Sequence, residues 1–559
     1  MSSTEAPLVF PTAGGLCVRY RGRLLYSERD PGRLPRRSAS ACDRGPARIH
    51  LVFSPLLWYG LPELLSLIGE GSAVLCVEAD PALAALARER APAGLLQSGR
   101  VAFIETSSPE EVLRSAGAMG RFRAVSSLAL SGGETLNAPL YKRMAALLSA
   151  EIESGWRNRA ALMVLGRRWG RNLLDNIAAL PRLRPEPLPR FPGAAVVCGA
   201  GPSLEASIPL IAARRGRLAL LACDTALGTL LQAGLEPDLV VCLEAQVHNV
   251  ADFIPLGKRA LPLVADLSSH PATFRAVAGP KYLSFVTLTA SPFLERLGLA
   301  LDSAGLPYRP MPPLGSVGVH AVHLARAIAA GPVLATGLDF SFEAGKTHAR
   351  GSPSILAEER RLRRTSRWQG QYGVSFRARS IAAPCALLPD GRPLLSDPIL
   401  LSYAALMADY ASAAGPALFD IRGRGPSIGA APLTIDEASA LLAASPRLRG
   451  ALEPASDIPR LAAGGASAAS RALHAAIENF LRSELERLGD LRDALKGRRT
   501  AAHEAFSSLL AEADYLYWSF PDADRVASLP RDVLNRLLPE LDFWTWRMES
   551  ALACLDETD

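Results

Sequence analysis

Residues Ala194 to Ile211, AAVVCGAGPSLEASIPLI, constrain the fold more than any other stretch of the chain. AAVVC carries no charge and is bounded by a glycine turn, the pattern of a strand buried on both faces in a parallel sheet. The turn Gly199-Ala200-Gly201-Pro202-Ser203 then leads into a helix. Gly199 and Gly201 lack a β-carbon, so their N–H groups can approach a ligand closely. Pro202 suits the first helical turn, where its missing donor is not needed. Ser203 adds a hydroxyl, and a helix N-terminus behind such a turn favours an anion. A dinucleotide fingerprint would place a third glycine where Leu204 stands, and no lysine follows in Walker spacing.

The next segments repeat the pattern. LALLAC runs into Asp224-Thr225, a short helix follows, and LVVCLEA ends near Glu244. Three successive strand ends thus present Gly199 and Gly201, Asp224, and Glu244 at the carboxyl edge of one sheet, where open α/β sheets bind ligands. Downstream, Gly315-Ser316 with Gly318 forms a second glycine–hydroxyl turn before a helix, suited to a carboxylate or phosphate. The strand VLATGLD ends at Asp339, and the loop GKTHARG carries Lys346, Thr347 and His348. An imidazole in a loop just past a strand end suits a general base or an anion contact. His320 and His323 share a helix face but lack a third ligand at metal spacing, so no metal site is expected. His320, nearer the helix start, is placed to approach substrate, and His323 to pack. His248 is a lining residue of the edge.

The 559 residues are too many for one ordinary core, and the pattern divides them into three parts. Residues 1–180 hold short strands, a Ser/Pro-rich basic stretch expected as an exposed loop, and a small α/β domain. Glu78 and Asp80 follow a strand there, yet only Gly60 stands where a nucleotide-binding turn would need several glycines, so a structural or docking role is expected. Beyond the proline-rich linker PRLRPEPLPRFPG, residues 181–435 form the central domain. Residues 436–559 read as a helical domain, with a bundle-packing stripe through Leu473, Ile477, Phe480, Leu481, Leu485, Leu488, Leu491 and Leu495, followed by helices carrying Tyr515, Trp518, Trp544 and Trp546 and read as bundle core. The net charge of +6 is small for this length, which argues against nucleic-acid binding. Eight cysteines form no C-x-x-C pair, several lie in apolar strands, and no signal peptide or spanning segment is legible, so a cytoplasmic protein is expected.

The turn GAGPSL with the following P-D-hydrophobic strand, the block GSVGVHAVHLARAIAAGPVLATGLDFSFEAGKTHARG, the segment LFDIRGRGPSIGAAP and the helix RRWGRNLLDNIAALP occur in the order found in one family. Over residues 165–435 the chain resembles the motility-associated factor (Maf) flagellin glycosyltransferases, and its G-x-G-P-S turn and G-x-D-F strand end are similar to those of bacterial sialyltransferases. The resemblance implies a Rossmann-like, sialyltransferase-type (GT-A variant) parallel-sheet domain between the smaller α/β domain and the helical domain. It implies a metal-independent, inverting transfer of a nonulosonic acid, a sialic-acid-like sugar, from a CMP-activated donor to flagellin Ser/Thr hydroxyls, with no permanently bound cofactor. His348, Asp339 and Lys346 would then be catalytic, and Gly199, Gly201, Pro202, Ser203, Asp224, Glu244, Gly315, Ser316 and Thr347 would hold the donor. The sialyltransferases carry tyrosines after the G-x-D strand, whereas this chain reads FSFEAGKTH, so Lys346, Thr347 or Ser341 would replace them. Two other readings stand beside this one: a hydroxymethylpterin diphosphokinase-like enzyme using ATP and magnesium, and a non-catalytic flagellin-binding accessory protein.

Overall fold

The computed structural model describes residues 6–365, 367, 382–447, 453–454, 465–495, 503–521, 523, 526 and 531–556, apart from 70, 93, 288–290, 389, 413–414 and 416. The chain divides into two compact units, residues 1–164 and 165–559.

In the first unit, β1 (Leu8–Thr12), β2 (Gly15–Tyr20) and β3 (Arg23–Leu24) form an antiparallel meander. β4 (Arg48–Phe53), β5 (Ala73–Glu78), β6 (Val101–Glu105) and β7 (Ala124–Ala129) form a parallel sheet in the order β6-β5-β4-β7. The acids at its edge are committed internally. Glu78 accepts hydrogen bonds from Asp80 N–H and from the Tyr141 hydroxyl at 2.8 Å. Asp80 accepts from Tyr20 and Arg21 and caps the helix Pro81–Glu89. The stretch expected as an exposed loop instead forms a helix, Arg33–Ser40. Pro35 and Ala39, four residues apart, give it a buried side.

Among the described residues the second unit has fourteen strands, nine of them in one parallel sheet. Its strands are β8 (Pro189–Arg190), β9 (Ala194–Cys198), β10 (Leu218–Cys223), β11 (Leu239–Cys242), β12 (Leu263–Asp266), β13 (Lys281–Val286), β14 (Arg309–Met311), β15 (Val333–Thr336), β16 (Phe342–Glu343), β17 (Ala383–Leu387), β18 (Pro393–Ser396), β19 (Leu418–Asp420), β20 (Ala431–Pro432) and β21 (Glu453–Pro454). The parallel sheet runs β14-β13-β12-β11-β10-β9-β15-β19-β20, while β16-β18-β17 and β21-β8 pair separately. Alternate residues of each strand face opposite cores. Ala195 and Val197 meet the helices Val317–Ile328 and Pro398–Ala411, and Ala194, Val196 and Cys198 meet the helix Leu204–Arg214. Burial on both faces is why these strands read as unbroken apolar runs.

The proline-rich segment before β9 is packed: Leu188 and Phe191 are buried, and Phe191 exchanges backbone hydrogen bonds with Ile328 and Ala330. The C-terminal helices Gly465–Leu495, His503–Glu512 and Arg531–Asp556 belong to the same unit as the sheet. Phe293, on the helix Pro292–Ser303, meets the rings of Phe480, Tyr515 and Trp518. Trp544 is fully buried against Gly170, where a β-carbon would overlap the indole, whereas Trp546 is exposed. Among the described residues no helix is long and apolar enough to cross a membrane, and the eight cysteines are all free.

Strand order reverses at β9, since β10 to β14 lie on one side of it and β15 on the other. At that switch point one side chain, Leu338, fills the space that two glycines leave. A β-carbon on either Gly199 or Gly318 would overlap its δ-methyl. We expect Gly318→Ala to destabilise the chain by about 1–3 kcal/mol through overpacking. Combining it with Leu338→Ala should cost less than the sum of the single changes, which urea unfolding midpoints in a double-mutant cycle would measure.

Candidate active site

The glycine turn after β9 and the G-L-D turn after β15 are bonded to each other. Gly199 N–H donates to Thr336 O, Gly201 N–H to Gly337 O at 2.7 Å, and Ala349 N–H to Ala200 O. The Asp339 carboxylate accepts from Ser203 N–H at 3.0 Å and, through a short hydrogen bond, from the Ser203 hydroxyl, which itself accepts from Gly337 N–H. A β-carbon on Gly201 would lie 2.7 Å from Asp339 Cγ. The close approach expected between this turn and a ligand is therefore made to the protein's own chain. The N-terminus of the helix Leu204–Arg214 faces an internal carboxylate, Asp339, which is itself buried. Pro202 and Ser203 are buried beside it.

Asp339 is enclosed from a third direction. Arg424 stands 3.5 Å from its carboxylate, and Arg422, paired with Asp420, donates to Leu338 O at 2.8 Å. Burial pushes the Asp339 carboxyl above the usual aspartate range, while the Ser203 bonds and the two arginines pull it back. The loop bearing the other expected catalytic residues docks on the same knot. Lys346 Nζ pairs with Glu205 at 2.8 Å, and Glu205 also accepts from Arg350 N–H. Half-buried His348 has Nδ1 at 3.0 Å from Thr347 Oγ1 and 3.1 Å from Ser354 Oγ. Gly199, Gly201, Ser203, Asp339, Lys346, Thr347 and His348 are thus brought together.

A second group gathers at the ends of β10 and β11. Thr225 Oγ1 donates to Asp252 at 3.0 Å and lies 3.3 Å from Asp224, whose Oδ2 is buried without a hydrogen-bond partner. The Cys242 thiol faces the same carboxyl. Burial first, then the Asp252 and Glu244 charges, raise Asp224 to about 7. Burial raises Asp252 to about 6, and raises Glu244 as well, with His248 opposing the shift at both. The two groups meet through the helix Leu227–Gln232, whose Thr229 donates to Arg350 O.

Gly315 and Ser316 form a third element. Gly315 takes φ +67, and a β-carbon there would lie 3.1 Å from the Tyr403 ring. Ser316 caps the helix Val317–Ile328 without a side-chain cap bond. Burial, then the Glu244 charge, raise the Tyr403 phenol, so this turn and the acid cluster share one edge. His320 is correspondingly corrected: it is fully buried against Ser284 Oγ at 3.2 Å, and burial lowers it to about 4, which removes it from the edge. His323 stacks on Tyr410, as expected of a packing residue.

Asp252, Thr225 and Tyr403 were not legible as site residues. Asp252 sits in the sequence VHNVADFIPL, where a single acid resembles a surface position, and only the turn Val247–Leu256 folds it inward.

Several known proteins share features with this chain. A family model described as 6-hydroxymethylpterin diphosphokinase MptE-like matches residues 171–345. An uncharacterized protein of Treponema pallidum (strain Nichols) is 28% identical over 584 residues, covering 98% of this chain and 96% of that protein. A second uncharacterized protein of that organism is 36% identical over 95 residues, 16% of this chain and 45% of the other. A solved Maf glycosyltransferase from Magnetospirillum magneticum AMB-1 superposes with a TM-score of 0.52 at 16% identity, over 99% of this chain and 93% of that one. The chain has the fold of that Maf glycosyltransferase along nearly its whole length.

The raised acids tie stability to pH. The native state holds a proton on Asp224 that an unfolded carboxyl releases near 3.8, so its contribution is full below that pH and is lost as pH rises through about 7. Asp224→Asn should flatten this decline and leave the variant more stable than the parent at pH 8, by on the order of 1 kcal/mol. Melting temperatures from pH 4 to 8 check it.

Proposed function

We propose that the chain is a glycosyltransferase that moves a nonulosonic acid from a CMP-activated donor to Ser/Thr hydroxyls of flagellin, with inversion and without a metal ion. The observation that carries the reading is the fold shared with a Maf glycosyltransferase over 99% of the chain. The ordered motifs around one carboxyl edge support it. Those motifs meet in space: the G-x-G-P-S turn, the G-L-D turn and the K-T-H loop share hydrogen bonds.

Transfer to a hydroxyl requires a group that takes its proton and contacts that stabilise the departing phosphate. The Asp339 carboxylate is committed to Ser203, and Lys346 to Glu205, which makes both positioning residues. His348 is the proton acceptor in this reading, its Nδ1 oriented by the Thr347 and Ser354 hydroxyls. Glu244 faces donor hydroxyls in this reading, with the buried Asp224 and Asp252 behind it, and Ser316 at its helix N-terminus faces the carboxylate or phosphate. The acceptor follows from the same resemblance, and the cytoplasmic setting from the free cysteines held in apolar strands.

A diphosphokinase reading rests on the family model over residues 171–345, and the Asp224 and Glu244 carboxylates are the groups that would face a magnesium nucleotide. Thermal shift separates the two: CMP should stabilise the protein, and stabilisation by ATP with magnesium alone would reverse the assignment.

His348→Ala should lower the rate of sugar-acid addition by about 100-fold or more, with a smaller loss for Lys346→Ala. Intact-mass spectrometry of flagellin from cells carrying each variant reads this directly. An unchanged flagellin mass on deleting the parent protein would remove the transferase reading.

A further inference from the structure

The helix motif RRWGRNLLDN has no part in the site described so far, yet it organises a second surface. Asn172 Nδ2 donates to Ala245 O and Ser268 O at 3.0 and 3.1 Å, and Asn176 Nδ2 to Leu267 O and Ser269 O, both at 2.8 Å. Both asparagines are buried, so their side chains hold the loops after β11 and β12 against one helix face. Arg168 and Arg171, three residues apart, lie on that helix just before the first asparagine, and the spacing puts them on neighbouring positions of one face.

These loops and arginines enclose a cavity of about 260 Å³ lined by Arg168, Arg171, Gln246, His248 and His270. Arg171 and His270 also line an adjoining cavity of about 670 Å³, together with Arg275 and Arg547. Arg547 is paired with Asp175, but among the described residues no carboxylate pairs with Arg168, Arg171 or Arg275. His270 is fixed in orientation. Its Nδ1 accepts from Ala272 N–H at 3.2 Å, so the neutral ring carries its proton on Nε2, and its backbone N–H donates to Glu244 O. Burial and the positive charges of Arg171 and Arg275 lower the His270 pKa, opposed by Asp175, the response of an imidazole in a field of unmatched positive charge. The nearby acids carry less than their formal charge, since Asp224 and Asp252 titrate near neutrality.

We infer that the Arg168–Arg171–His270 cavity is a binding site for the phosphate group of a small, nucleotide-sized ligand. Guanidinium forks match phosphate oxygens in pairs, the histidine adds an oriented donor, and the combined space suits a ligand of that size. The asparagine bonds fix the helix that carries the arginines against the loops, so the backbone frame of the site is set before a ligand arrives. The site stands whether or not glycosyl transfer occurs, because it rests on charge and geometry away from His348.

Calorimetric titration of the full-length chain with inorganic pyrophosphate and with CMP, at ionic strength held constant with NaCl, tests it. Both probes should bind, and Arg168→Gln/Arg171→Gln should weaken binding about 10-fold or more. Arg361→Gln/Arg364→Gln, outside both cavities, should leave it unchanged. His270→Asn keeps a helix-capping side chain while removing the Nε2 donor, and should weaken binding on its own. CMP binding more tightly than pyrophosphate would identify a nucleotide as the source of the phosphate, and the reverse a free phosphate compound. No heat beyond the NaCl control, or equal affinity in the parent and the double variant, overturns the assignment.

Discussion

The buried carboxylate of Asp339 is the interaction on which the sheet edge depends. A charge removed from water costs several kcal/mol unless its oxygens are matched. Here the matching groups come from two distant segments: the amide and hydroxyl of Ser203, and the loop after β19, whose Arg424 faces the carboxylate and whose Arg422 braces the carbonyl before it. Each segment must be in place for the other to be tolerable. Gly201 is required because a β-carbon there would press on this carboxylate, and Gly425 because one would overlap Asp339 O. The glycines that mark the sequence are therefore places where the chain approaches itself, at the point where strand order reverses.

That arrangement shifts where chemistry can occur. A helix N-terminus already facing an internal anion has little field left for a second one. The polar groups open to a ligand lie further along the edge: Glu244, and Ser316 at a helix start without a side-chain cap. The loop carrying His348 is held over the knot by Glu205 and Ala200, so the imidazole is positioned by the clamp without belonging to it.

The α/β class, the parallel sheet and the crowding of motif residues at its carboxyl edge were legible because they follow from local pattern: charge-free strands, glycine turns and polar strand ends. The C-terminal stripe was legible for the same reason, and Leu473, Ile477 and Leu481 are buried as its periodicity requires. What was not legible depended on partners far apart in sequence. Gly199 and Gly201 read as ligand-facing because an absent β-carbon signals close approach without naming what approaches, and the answer, Leu338 and Asp339, lies over a hundred residues away. His320 looked poised at a helix start, but helix direction alone cannot say that Ser284 of β13 faces it. Asp252 and Tyr403 enter through loops and helices whose docking no local pattern encodes.

Charge is divided across this edge in a way that neither half explains alone. Three acids crowd the ends of β10 and β11, where burial and neighbouring negative charge raise Asp224 to about 7 and Asp252 to about 6, and burial raises Glu244. Among the described residues no carboxylate pairs with Arg168, Arg171 or Arg275 beside the next loop, and His248 touches both regions, opposing the shifts of Glu244 and Asp252 while lining the basic cavity. Proton uptake relieves the repulsion among the acids and leaves the arginines without a nearby counter-charge. An anion arriving at the arginines would then raise the proton affinity of the acids further, since added negative charge nearby disfavours their ionised form. Occupation of the basic cavity and protonation at the strand ends are coupled by electrostatics alone, whatever reaction the edge performs.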